Sequence, residues 1–176
     1  MKFISFNHDN SEKFGIIENN LITDLTGKID GASSLKELIK IKKIKEAKEY
    51  VKSNPGSIKP DQIQYSPLIP NPGKIICVGL NYSEHVKETN RTVEENPVIF
   101  HRFPESQTAH MQAIQRPTVS ESLDFEGEMA VIMGEGGKHI KPEEALKHIV
   151  GFSCYNESTI RAVSYTHLTL PTTMLV

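Results

Sequence analysis

The chain has 176 residues, with 20 basic against 22 acidic side chains, a formal net charge of −2 and 38% hydrophobic residues. A near-neutral chain without a basic stripe gives no electrostatic case for nucleic acid or an anionic membrane as partner, and this length suits one domain, or one domain with a small appendage. The opening "MKFISFNHDN" turns polar after a few apolar residues and no run is long enough to span a bilayer, so a cytoplasmic protein is expected.

Residues 1–54 are expected to form a small N-terminal β/α domain. "KFGIIENNLITDLT" carries two β-prone runs around Asn19-Asn20, a hairpin signal. In "SSLKELIKIKKIKEAKEYVKS" the residues Leu35, Leu38, Ile39, Ile41, Ile44, Ala47 and Val51 keep approximate helical register, which predicts one helix capped by Ser33 or Ser34. Residues 55–73 hold most of a stretch with five prolines in twenty residues, "NPGSIKPDQIQYSPLIPNPG", and read as an extended linker.

A different composition begins at Lys74. "KIICVGL" and "PVIFHRF" are candidate buried strands, with Asn81 or Ser83 able to cap a helical turn between them. "EMAVIMG" is a further strand with a hairpin return in "EGGKHI". "KPEEALKHIVG" predicts a helix with Pro142 in its first turn and Gly151 as its stop, followed by a strand in "FSCYNESTI". Cys77 and Cys154 stand far apart in apolar settings, which predicts two buried thiols rather than a disulfide or a metal knuckle.

The stretch "LDFEGEMAVIMGEGG" sets Glu126 and Glu128 one residue apart on a strand, where alternation aims both the same way. A half-buried pair of like charges needs a cation or a shared proton. With Glu157 on a later strand, the set offers the all-oxygen ligands that Mg²⁺, Mn²⁺ or Ca²⁺ prefer. From spacing alone an E-x-E on a solvent face is an equally common reading. His85 and Glu88, three apart, would be neighbours on a helix and could act as a general acid/base dyad, against the plainer reading of two surface charges. Arg102 could hold a substrate carboxylate in bidentate fashion or simply snorkel at a strand end, and His101 is undecided. His110, His139 and His148 have no visible partner. Tyr82 and Tyr155 could hydrogen-bond a ligand or serve as half-buried packing.

Four blocks, "KIICVGLNYSEHVKE", "PVIFHRFPESQ", "LDFEGEMAVIMG" and "EEALKHIVGFSCYNESTIR", in this order, resemble the successive signature blocks of the fumarylacetoacetate hydrolase family over about Asn71 to Arg161. The resemblance implies an α+β, β-rich fold, a mixed β-sandwich roll occupying residues 74–161 here in part, usually dimeric. It implies a divalent cation, Mg²⁺ or a related ion, held by Glu126, Glu128 and Glu157. Many members have Asp where Glu157 stands, and the extra methylene changes its reach. His85 and Glu88 match the family's H-x-x-E dyad, and Arg102 falls where several members have a lysine. With Arg161 it is expected on the substrate side of the site. The implied activity is metal-dependent carbon–carbon hydrolysis of acylpyruvate-like 2,4-dioxo acids. The alternatives are an isomerase, tautomerase, decarboxylase or hydratase on 2-oxo or 2-hydroxymuconate-type acids, or an inactive metal-binding fragment.

Members of the family continue past the arginine of the last block with an acid and a long stretch bearing a lysine. Here the chain reads "AVSYTHLTLPTTMLV", of which "VSYTHLTLPT" resembles the translation of a transposase-type sequencing adapter. Residues 162–176 are therefore expected to be non-native and the parent protein to be longer, with open strand edges and uncovered apolar faces left in this chain. Resequencing the source gene across the codon for Ala162 should show the frame running on into an acid and a lysine-bearing segment. A genomic "VSYTHLTLPT" would overturn that expectation.

Overall fold

The computed structural model describes residues 1–82 and 96–161. The chain divides into two compact units, Met1–Gln112 and Ala113–Val176. Its secondary structure is strand-rich, with few helices. Among the described residues no helix is long and apolar enough to cross a membrane.

The first unit opens with a meander. Strands β1 (Lys2–His8), β2 (Ser11–Glu18) and β3 (Leu21–Asp24) pair antiparallel in sequence order. Both connections are two-residue turns, Asp9-Asn10 and Asn19-Asn20, and all four residues have positive φ between 51° and 61°. Asn and Asp tolerate that left-handed backbone, and its twist matches that of the flanking strands. The Asn19-Asn20 hairpin is the one expected from sequence. Gly15 in β2 has a steric reason: a Cβ there would lie 2.2 Å from the carbonyl oxygen of Thr23.

The single helix expected over residues 33–53 is two: α1 (Leu35–Lys40) and α2 (Ile44–Ser53). Ser34 caps α1 by accepting from the Glu37 N–H at 3.3 Å, while Ser33 donates its own N–H and hydroxyl to the Glu37 carboxylate. The break lies at Lys42, which takes φ 59°. The Lys42 and Lys43 N–H groups donate back to the Ile39 and Leu38 carbonyls, a Schellman closure achieved without glycine. The turn re-aims the apolar stripe so that Leu35, Leu38, Ala47 and Val51 are buried, whereas Ile41 stays at the surface. With Phe6, Phe14, Ile16, Ile22 and Leu25 these residues form the core of the first unit.

The proline-rich stretch is tied to the first sheet. Strand β4 (Gln64–Tyr65) joins the edge of β1, giving the sheet order β3-β2-β1-β4, and Ser5 donates its hydroxyl to the Leu68 carbonyl at 2.7 Å. Further on, β5 (Ile75–Gly79) pairs antiparallel with β6 (Val98–Arg102), in the two runs read as strands. The Gln107 side-chain amide donates to the carbonyls of Ile69 and Pro70, and Tyr65 packs edge-on against His110 at 5.0 Å. These ties draw residues up to Gln112 into the first unit, past the composition change at Lys74. The possible cap at Ser83 lies outside the described residues, as does the 162–176 tail.

In the second unit β7 (Leu123–Asp124) pairs with β10 (Thr159–Ile160), and β8 (Gly127–Met133) pairs with β9 (Ile149–Asn156), all antiparallel. The helix expected from Pro142 is a 3₁₀ segment, Pro142–His148, with no buried residue. Gly151 is not its stop but lies inside β9. The Gly134 N–H donates to the His148 carbonyl at 2.8 Å, so residues 135–148 form the long return of a β8–β9 hairpin. Without an apolar stripe to bury, this segment gains little from an α-helix. On one face of the hairpin Met129, Val131, Met133, Val150 and Phe152 are exposed. The buried-thiol expectation is also corrected: Cys77 is half-buried, and Cys154 sits on that exposed face.

Asp24 closes the β2–β3 edge through a 2.9 Å ion pair with Lys13. Burial alone would raise its pKa, but hydrogen bonds from the Thr26 backbone, Lys13 and the Thr26 hydroxyl, together with the Lys13 charge, lower it. A folded pKa below the unfolded one gives stability that is present above the unfolded value, near 4, and lost as pH falls through the folded value. Asp24→Asn should therefore lower the thermal midpoint by about 3–6 °C at pH 7, as for a half-buried ion pair worth roughly 1 kcal/mol, and by almost nothing near pH 2. Thermal melts at the two pH values check this.

Candidate functional site

The acidic stretch lies where β7 gives way to β8. Glu126 is in neither strand, yet its backbone extends the β8–β9 ladder. Gly127 pairs with Asn156 and Glu128 with Tyr155, and one step further the Glu157 N–H donates to the Glu126 carbonyl at 2.9 Å. Residues directly opposite in an antiparallel ladder share a face, as do i and i+2 on one strand. The register thus places Glu126, Glu128, Glu157 and Tyr155 on one side of the ribbon, opposite the exposed apolar side. Glu157 is only 8% exposed and the Glu126 side chain 23%. Burial to this depth disfavours a cluster of uncompensated charges.

Arg161 meets two of the neighbouring carboxylates. Its Nη1 lies 3.0 Å from Glu126 Oε1, and its Nη2 and Nε each lie 3.0 Å from Asp124 Oδ2. Its backbone N–H donates to the Ser122 carbonyl at 3.1 Å, continuing the β7–β10 pairing. Asn156 adds a second fixing point, accepting the Glu126 N–H at 3.0 Å on its side-chain oxygen. A Cβ at Gly127 would meet open space, so packing does not require the glycine between the two acids.

The donor chemistry of three carboxylates on one face fits a hard divalent cation. As the side chains stand, no three acidic, imidazole or thiol groups among the described residues are gathered closely enough to hold a metal ion. Glu126 is turned onto a guanidinium instead. Arg161, expected on the substrate side, is brought to the carboxylates. Asp124 and Asn156 were missed in the sequence, although Asp124 stands two residues before Glu126, the same i, i+2 spacing that marked Glu128.

Arg102, at the end of β6 opposite Ile75, is half-buried in the first unit, and His101 beside it packs edge-on against Phe103 at 5.3 Å. His110, without a visible partner in the sequence, has the ring of Tyr65. The His148 Nδ1 lies 3.0 Å from the Glu135 carbonyl oxygen. Tyr82 is exposed and Tyr155 half-buried. His85 and Glu88 fall outside the described residues.

The sequence model of the fumarylacetoacetate hydrolase C-terminal domain matches residues 74–173. The mitochondrial oxaloacetate tautomerase of Xenopus laevis is 36% identical over 118 residues, which are 67% of this chain and 37% of that protein. An uncharacterized protein of Methanocaldococcus jannaschii is 35% identical over 127 residues, 70% of this chain and 53% of its own length. Among solved structures, a fumarylacetoacetate hydrolase from Exiguobacterium antarcticum superimposes with a TM-score of 0.77 at 29% identity, covering 96% of this chain and 60% of that one. A maleylpyruvate hydrolase from Sphingobium, solved with manganese(II) and pyruvate, superimposes with a TM-score of 0.74 at 20% identity, over 92% and 60%. The chain spans about a third to a half of the length of these two curated relatives.

Proposed function

We propose that this chain, which belongs to the fumarylacetoacetate hydrolase family, carries part of the active site of a divalent-metal-dependent enzyme acting on a small 2-oxo or 2,4-dioxo acid. The carrying observation is the register that sets Glu126, Glu128 and Glu157 on one half-buried face of the β8–β9 ribbon. These three carboxylates would hold the cation, with Mg²⁺ or Mn²⁺ suited to an all-oxygen set that leaves coordination places for substrate oxygens. The Sphingobium neighbour's manganese and pyruvate support the pairing of such a metal with a 2-oxo acid. When bound, the cation supplies Lewis-acid stabilisation of enolate charge.

The protein groups do the remaining work. Arg102 offers a guanidinium fork for a substrate carboxylate; Arg161, expected from the sequence to share that task, has its donors on Asp124 and Glu126 instead. His85, oriented by Glu88, takes a proton from water for attack on the distal carbonyl, or returns a proton to the enolate carbon. The first outcome is carbon–carbon hydrolysis of an acylpyruvate-like acid. The second is tautomerisation, a reading favoured by the identity of 33–39% to oxaloacetate tautomerases of several vertebrates. A homodimer in the cytoplasm is the proposed setting for the full-length protein, although the tautomerase relatives are named as mitochondrial.

Loss of enol absorbance from an acylpyruvate, with release of the free acid, marks hydrolysis, and accelerated enol–keto exchange of oxaloacetate marks tautomerisation. Either should require Mg²⁺ or Mn²⁺ and disappear with chelator. Glu126→Ala should weaken Mn²⁺ binding by about 100-fold or more. His85→Ala should leave that binding within about 2-fold while lowering turnover by roughly 10²–10⁴. Full turnover in His85→Ala, or turnover without metal, would remove these roles.

A further inference from the structure

Asp124 accepts hydrogen bonds at both of its carboxylate oxygens and is not among the three proposed to hold the cation. Its Oδ1 accepts the Phe125 N–H at 2.9 Å, and its Oδ2 accepts Nε and Nη2 of Arg161, both at 3.0 Å. The backbones of both residues are fixed by the β7–β10 ladder, with Asp124 opposite Thr159 and the Arg161 N–H on the Ser122 carbonyl. The guanidinium thus meets Asp124 through Nε and Nη2, and Glu126 through Nη1 at Oε1. A carboxylate has two oxygens, so a bond to one still lets the other ligate a cation.

From this arrangement we propose that Asp124 is a positioning residue that neutralises and anchors Arg161, so that the guanidinium orients Glu126 without withdrawing it from a divalent cation. The inference rests on the metal-holding role proposed above for Glu126, Glu128 and Glu157. Asp124 and Arg161 together add no net charge, so the pair takes nothing from the charge that the three carboxylates offer a cation. Without the Asp124 charge, the Arg161 charge beside Glu126 is no longer offset by the acid on its other side. The site then both repels a dication and binds its first ligand more tightly to the arginine.

The test is Mn²⁺ binding to the chain, followed by electron paramagnetic resonance, with circular dichroism as a control for folding. Asp124→Asn keeps the shape and the Oδ1 acceptor but removes the charge. It should weaken Mn²⁺ binding about 10-fold at low ionic strength, with the loss shrinking toward about 3-fold at roughly 0.5 M salt. Because Asp124 acts through Arg161, adding Asp124→Asn to an Arg161→Gln background should change the affinity by less than about 2-fold. Asp124→Glu, which restores the charge, should recover most of the loss.

An Asp124→Asn affinity within 2-fold of the unchanged chain, or an equal loss in the Arg161→Gln background, overturns the proposal while leaving the carboxylate site standing. Should Asp124→Asn fail to fold, Arg161→Lys replaces it. A single ammonium cannot fork between Asp124 and Glu126, so about a 10-fold loss supports the brace and unchanged affinity overturns it. Absence of Mn²⁺ binding in the unchanged chain, or binding that Glu126→Gln does not alter, removes the carboxylate site and the brace with it.

Discussion

The bond from the Glu157 N–H to the Glu126 carbonyl, 2.9 Å long, carries the β8–β9 register one step beyond the end of the strand. Everything proposed for the site depends on that continuation. A slip of one residue would send Glu126 and Glu128 to the face now held by Met129 and Val131, and separate them from Glu157. The Asn156 side chain, accepting the Glu126 N–H, locks the same step from the other side. Register alone thus converts an E-x-E dipeptide and a distant glutamate into one array of like charges.

In the second unit a forked cation meets this array at Glu126 and shares its charge with Asp124. Arg161 spans two carboxylates because its donors lie in one rigid plane. Its backbone is placed directly after β10, where its N–H bonds to the Ser122 carbonyl. The two ladders, β7–β10 and β8–β9, therefore meet at the site: one brings the acids to one face and the other brings Arg161 to Glu126. The site residues gain their geometry from backbone pairing, which is stiffer than side-chain packing on so open a ribbon.

The two units bury their residues differently. The N-terminal sheet and its two helices enclose Phe6, Phe14, Ile16, Ile22, Leu25 and Leu38 almost completely. The β8–β9 hairpin instead carries Met129, Val131, Met133, Val150 and Phe152 in the open, behind the acidic face. Apolar residues on the face opposite a half-buried one are typical of strands covered on both sides.

Local chemistry was legible in the sequence wherever one residue's backbone preference or a short period decides the outcome. Asn19-Asn20 specifies a tight turn because both residues tolerate positive φ, the β5, β6, β8 and β9 runs show as apolar stretches, and alternation alone puts Glu126 and Glu128 on a common side. Four ordered blocks together identify the family. Other features lay beyond it, because they depend on partners distant in the chain. Lys42 breaks a stripe that looks continuous, since the helix must turn to keep Leu38 and Val51 in the same core. The stretch after Pro142 stays 3₁₀ and buries no residue against the other described residues, and Gly151 becomes a strand residue because the Gly134 N–H bonds to the His148 carbonyl. Sequence determined which acids could act together; only the tertiary ladder decided that Glu157 stands opposite Glu126, and that an arginine anchored by Asp124 is the charge that meets them.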